Sequence, residues 1–150
     1  MGKSATNNLS GNLPSELSAI HTVRNLEFYL NKLRGRLPKQ IFNLPLDIFD
    51  IEGNQLSGQI FPVELFKING AGNTLSKFLV SRNNFTGEIP TMIGQLTQLT
   101  DFYVADNRLN GRIPEQLGML SSLGKKVIPK CIRFEKCTFL RQILKLLYLI

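Results

Sequence analysis

Histidine, cysteine and paired carboxylates carry most side-chain chemistry, and this chain offers few of them in a usable arrangement. Its 150 residues contain one histidine, His21, and two cysteines, Cys131 and Cys137. A lone imidazole has no second ligand of its own kind and no thiol close in sequence, so His21 reads as a solvated or hydrogen-bonded side chain. The two cysteines suit a disulfide in an oxidising compartment but do not by themselves establish one. No paired carboxylates, metal cluster or nucleophile–base set is apparent, and the expectation is no enzyme, no cofactor and no metal. Gly70-Ala71-Gly72 followed by Lys77 lacks the Gly-Lys-Ser/Thr end of a phosphate loop.

The polar side chain that recurs at fixed spacing is asparagine. Asn7-Asn8-Leu9-Ser10-Gly11-Asn12-Leu13-Pro14 returns as Asn31-Lys32-Leu33-Arg34-Gly35-Arg36-Leu37-Pro38. Further copies start at Asn54, Asn83 and Asn107, so the leading asparagines stand 24, 23, 29 and 24 residues apart. An amide both donates and accepts hydrogen bonds, so a buried asparagine can satisfy the backbone of a turn that no water reaches. Asn31, Asn54, Asn83 and Asn107 are therefore expected to form a structural ladder.

Elements must hold that ladder. Each of the last four copies follows an extended apolar segment: Val23-x-x-Leu26-x-Phe28, Leu46-x-x-Phe49-x-Ile51, Leu75-x-x-Phe78-x-Val80 and Leu99-x-x-Phe102-x-Val104. Alternation of this kind is the signal of a strand with one buried face. Between each proline and the next strand the period becomes three, as at Pro90, Ile93, Leu96 and Leu99, which suits a 3₁₀ or short helical return. The glycine permits a tight or positive-φ bend, and the proline fixes the start of the return. One such unit cannot bury its apolar face alone; stacked units can.

These residues resemble the plant-type leucine-rich repeat, Asn-x-Leu-x-Gly-x-Ile-Pro preceded by Leu-x-x-Leu-x-Leu. That repeat is typical of plant receptor-like kinases and receptor-like proteins, and similar arrays occur in algal proteins. The resemblance covers residues 7–123. It implies an α/β repeat fold: a right-handed curved solenoid with parallel strands on the concave face. It also implies a protein or peptide ligand, often in signalling, at a membrane-associated or extracellular location. The domain expectation is a repeat domain over 1–124 and a basic, apolar tail over 125–150. About five repeats fill the domain, the first lacking its strand, because Gly2 and Ser4 stand where core residues are due. About five extra residues near 66–73 are expected to bulge from the return side.

Stacking in parallel lines up the exposed strand positions. The first column is Asn25, Ile48, Lys77 and Asp101; the second is Glu27, Asp50, Leu79 and Tyr103; the third is Tyr29, Glu52, Ser81 and Ala105. Tyr103, Leu79, Asp101, Lys77, Asp50 and Glu27 are the candidate ligand contacts, set against the plain alternative of solvated strand positions. Asn8 and Asn84 begin Asn-x-Ser/Thr sequons, candidate glycosylation sites inside a motif where those residues are common anyway.

The net charge of +7 is concentrated at one end. Residues 125–150 carry seven cations against Glu135, which leaves about +1 for residues 1–124. This argues against a nucleic-acid partner for the repeats. Met1–Asn12 has no apolar core of a signal peptide, although Met1-Gly2 with Thr6 fits the loose myristoylation pattern. No run approaches the ~20 apolar residues that span a bilayer. For the tail, the readings stay open: a helix capping the solenoid or an untidy end of the coding sequence, a segment lying on an anionic membrane surface, or the start of a truncated spanning helix. The corresponding alternative function is a scaffold docked to a membrane by residues 125–150.

Overall fold

The computed structural model describes residues 2–3, 7–66 and 74–123. The insertion at 67–73, the boundary at 124 and the tail, with its cysteines and its membrane-docking expectation, lie outside the described residues.

Among the described residues, ten short strands form two five-stranded sheets, and both sheets are parallel throughout. The first, on the concave side, contains β1 (Gly2–Lys3), β3 (Asn25–Glu27), β5 (Ile48–Asp50), β7 (Lys77–Leu79) and β9 (Asp101–Tyr103), in that order. The second contains β2 (Ser10–Gly11), β4 (Lys32–Arg36), β6 (Gln55–Gln59), β8 (Asn84–Glu88) and β10 (Arg108–Asn110). Each repeat gives one strand to each sheet, and a 3₁₀ turn closes it. These turns are Ser15–Ala19, Lys39–Asn43, Val63–Phe66, Thr91–Gln95 and Glu115–Met119.

The 3₁₀ turns follow from the prolines. Pro14, Pro38, Pro90 and Pro114 sit extended just before four of the turns, and each carbonyl accepts the backbone N–H three residues on. Proline suits this position because its missing N–H would have no partner there. Its fixed φ starts the return.

The core is one continuous column between the sheets and the returns. Leu26, Phe49, Phe78 and Phe102 pair in register along the concave sheet and are buried beneath it. Phe49 and Phe78 stack with ring centroids 5.5 Å apart, and Phe78 and Phe102 with centroids 5.9 Å apart. Phe61 reaches across from the return side to touch both Phe78 and Phe102. Ile41, Leu56, Ile60, Leu65, Phe85 and Ile93 fill the remaining layers. A small apolar void of about 10 Å³ is lined by Phe42, Leu44, Leu46, Phe49, Leu65 and Leu75. It is interior packing space, too small for a ligand.

Two details depart from the sequence reading. The first repeat does not lack its strand, because Gly2 and Lys3 pair in parallel with Leu26 and Glu27. Strand pairing is backbone hydrogen bonding, so it survives the absence of apolar side chains there. The second sheet was not anticipated. The segment Asn-x-Leu-x-Gly-x-Ile, read as a turn, is itself a strand. On β4, Lys32, Arg34 and Arg36 are exposed, Leu33 is buried and Gly35 is partly covered.

Candidate functional site

The asparagine ladder fixes the strand ends and hence the surface between them. Asn54 lies between two units. Its Oδ1 accepts the Leu33 backbone N–H at 3.0 Å, and its Nδ2 donates to the carbonyls of Phe28 at 2.9 Å and Ile51 at 3.0 Å. Asn83 repeats the geometry: Oδ1 accepts from Leu56 N–H at 3.0 Å, and Nδ2 donates to the carbonyls of Ile51, Val80 and Ser81. Asn107 joins Phe85 N–H to the carbonyls of Val80, Val104 and Ala105. Asn31 accepts from Leu9 N–H and donates to the carbonyls of Phe28 and Tyr29. Every rung ties its own unit to the preceding one.

The residue before each rung has a left-handed backbone. Leu30, Arg82 and Asp106 have φ of 53°, 56° and 51°, and Gly53 holds the matching position at 67°. That conformation is costly for a side chain with a Cβ. Sequence reading missed it; Gly53 was the one signal. Leu30 is also among the exposed large apolar residues, and its Cδ2 lies across Gly53.

The candidate contacts lie side by side on the concave sheet. Asn25, Ile48, Lys77 and Asp101 are paired in register across four strands, and so are Glu27, Asp50, Leu79 and Tyr103. All eight are half-buried, because neighbouring strands about 4.8 Å apart shade one another's side chains. The third column is less uniform. Tyr29, Glu52 and Ala105 are half-buried, but Ser81 is buried.

Charge divides this face in two. Glu27, Asp50 and Glu52 gather on the early units. Burial pushes the Asp50 carboxyl up to about 6 from an ordinary 3.8. The Glu52 backbone N–H donates to its Oδ1 at 3.1 Å and opposes that rise, the charges of Glu52 and Glu27 add to it, and Lys77 opposes it. On the later units Lys77 pairs with Asp101 at 3.4 Å, and Glu52 reaches Arg82 at 3.8 Å. Leu79 and Tyr103 lie beside the Lys77–Asp101 pair as the apolar part of the face.

The sequons fall on different ground. Asn8 is exposed at the first unit, whereas Asn84 is half-buried in β8 beside fully buried Phe85. Among the described residues, no group of three or more His, Cys, Asp or Glu side chains is placed to hold a metal. No helix among them is long and apolar enough to cross a membrane.

Comparison with known proteins adds the following. A family model described as Leucine Rich Repeat matches residues 74–96. Receptor-like protein 31 of Arabidopsis thaliana is 32% identical over 95 residues, which is 62% of this chain and 10% of that protein. The BIR2 ectodomain from Arabidopsis thaliana is similar in structure, with a TM-score of 0.70 at 31% identity, covering 77% of this chain and 59% of that one. The Arabidopsis receptor kinase HAESA ectodomain, solved in complex with an N-terminal extended IDA peptide hormone ligand, gives 0.69 at 32% identity. That match covers 76% of this chain and 18% of the other. The chain spans 10–14% of the length of the curated relatives it matches.

Proposed function

We propose, from the premise that this chain is a plant-type leucine-rich-repeat protein, that it is a non-catalytic module that binds a protein or peptide on its concave sheet. The observation that carries the reading is the register of β7 and β9, which sets Leu79 beside Tyr103 and both beside the Lys77–Asp101 pair. A tyrosine with an apolar neighbour and a flanking ion pair suits an interface anchor, since it buries much area at little entropy cost. Strands joined by the asparagine rungs hold these side chains more rigidly than loops would. The HAESA ectodomain, a similar solenoid, is solved with a peptide hormone, and that supports a peptide-sized ligand here. A receptor-like, extracellular setting is part of the same proposal.

Selection from a random peptide display library against the full chain tests it. Enriched peptides should bind the wild type and lose binding to a chain carrying Leu79→Ala and Tyr103→Ala together. A pool that binds the double variant equally well overturns the concave-face reading.

A further inference from the structure

In each unit of the second sheet one residue stands just before the glycine of the repeat. These residues are Ser10, Arg34, Ser57, Thr86 and Asn110. The last makes an Asn-Gly pair, the only one among the described residues. Such a pair is chemically reactive, because with no side chain on the glycine its backbone nitrogen can close a ring on the asparagine amide. Stacking shields the earlier glycines: Gly35, Gly58 and Gly87 are in register with Leu56, Phe85 and Leu109 of the next strand. Gly111 lies just past the end of β10, the edge strand of its sheet among the described residues. No turn or loop hydrogen bond among them takes its N–H.

One carboxylate reaches this pair. Glu88 on β8 is the register partner of Asn110, so the two stand about 4.8 Å apart across the sheet. Both are exposed. Glu88 also leans over the glycine: a Cβ on Gly111 would stand 2.6 Å from its Cδ and 2.9 Å from its Oε1. Only the missing Cβ lets the carboxylate come this near. The ion pairs of the described residues are Arg24–Asp47, Lys39–Glu64, Lys77–Asp101 and Glu52–Arg82, and none of them holds Glu88. Its oxygens are free to accept a proton.

We infer that Asn110 is a site of self-deamidation, with the Glu88 carboxylate as the base. Glu88 takes the Gly111 N–H proton as the Gly111 nitrogen bonds to Cγ of Asn110. The Cγ–Nδ2 bond then breaks, the proton passes to Nδ2, and ammonia leaves behind a cyclic succinimide. Water opens that ring at either carbonyl and gives aspartate or isoaspartate. Both products set a second carboxylate beside Glu88. Isoaspartate also routes the backbone through Cγ, which lengthens it at the end of β10 and puts it out of step with Glu88. The change runs one way and needs only water, so the strand records the age of the molecule. It does not depend on a ligand at the concave sheet.

The test follows the full chain over time at neutral pH by peptide mapping and mass spectrometry. Each conversion exchanges an amide for a carboxyl, and isoaspartyl methyltransferase labels the isoaspartate product. Asn69-Gly70, outside the described residues, is a second Asn-Gly pair in the same chain and serves as an internal clock. Glu88→Gln keeps the shape of the side chain and removes its basicity. The expected result is conversion at Asn110 slowed about tenfold in E88Q, less than a positioned base supplies in an enzyme, with conversion at Asn69 unchanged. In concentrated guanidinium chloride, where Glu88 no longer faces Gly111, wild type and E88Q should convert Asn110 at one rate. Circular dichroism checks that E88Q folds, and Glu88→Ala serves if it does not. Equal rates at Asn110 in folded wild type and E88Q overturn the proposal. So does an effect of Glu88 that persists in denaturant, or a folded chain in which Asn69 converts and Asn110 does not.

Discussion

Asn83 is a clear case of a side chain acting through the backbone it satisfies. Its Oδ1 and Nδ2 engage four backbone groups on two units, and the residue is buried. Asn83→Ala leaves those groups without a partner or with water that must enter the core, so it should cost about 1–3 kcal/mol. Asn107 makes the same bonds but is half-buried, and solvent can replace part of what it supplies. Chemical denaturation should therefore rank Asn83→Ala below Asn107→Ala in midpoint; equal midpoints would contradict a buried ladder. Asp50 makes a second prediction at this scale. An isolated aspartate titrates near 3.8 and Asp50 near 6, so the folded chain holds this proton more tightly than the unfolded chain. The stability this contributes is fully present below about 3.8 and is lost as pH rises through 6. Asp50→Asn stays neutral and still offers an oxygen to the Glu52 N–H. It should raise the thermal midpoint relative to wild type at pH 8 and leave the difference near zero at pH 4. Thermal melts across that range check it, and a larger gain at pH 4 would reverse the sign.

Among the elements, the concave strands owe their alignment to the phenylalanine column. Phe78 is fully buried and touches the rings of Phe49, Phe61 and Phe102. Phe78→Ala opens a cavity at the middle of the stack and should cost about 3–5 kcal/mol. Phe102, nearer the last described unit and slightly exposed, has fewer ring neighbours to lose, and Phe102→Ala should cost less. Urea titrations of both variants test that order. The concave strands were legible because the spacing from Leu26, Phe49, Phe78 and Phe102 to each asparagine is constant. The columns of exposed residues follow from that spacing alone. The second sheet was written in the same residues as an alternation around Leu33, Leu56, Phe85 and Leu109, but a glycine two residues later reads as a break. At Gly35 and Gly58 the backbone is at φ of 81° and 90°, and the side chains of Asn12 and Arg36 cross the vacant Cβ positions. Those glycines make room for the preceding unit, a reason that only the stacked structure supplies. The β1 strand was missed for the converse reason: Gly2 and Lys3 pair through the backbone with no apolar signal.

For the molecule as a whole, charge sums conceal what stacking separates. Residues 1–124 total about +1, yet the concave sheet gathers Glu27, Asp50 and Asp101 against Lys77 among its described side chains, while the second sheet gathers four cations against Glu88. Which strand joins which sheet decides that partition, and a running total along the chain cannot record it. The four ion pairs of the described residues, Arg24–Asp47, Lys39–Glu64, Lys77–Asp101 and Glu52–Arg82, each join one unit to the next, as do the asparagine rungs. Stability is then carried between neighbours, and the concave face is as rigid as the stack beneath it. The most direct measurement is calorimetric titration of one display-enriched peptide into the full chain and three variants: Leu79→Ala, Tyr103→Ala and Gln95→Ala. Leu79 and Tyr103 are on the concave sheet, and Gln95 is exposed at the end of a 3₁₀ return. The predicted result is about tenfold weaker binding for Tyr103→Ala and a smaller loss for Leu79→Ala, with Gln95→Ala unchanged. Weaker binding by Gln95→Ala than by the two concave variants would contradict it.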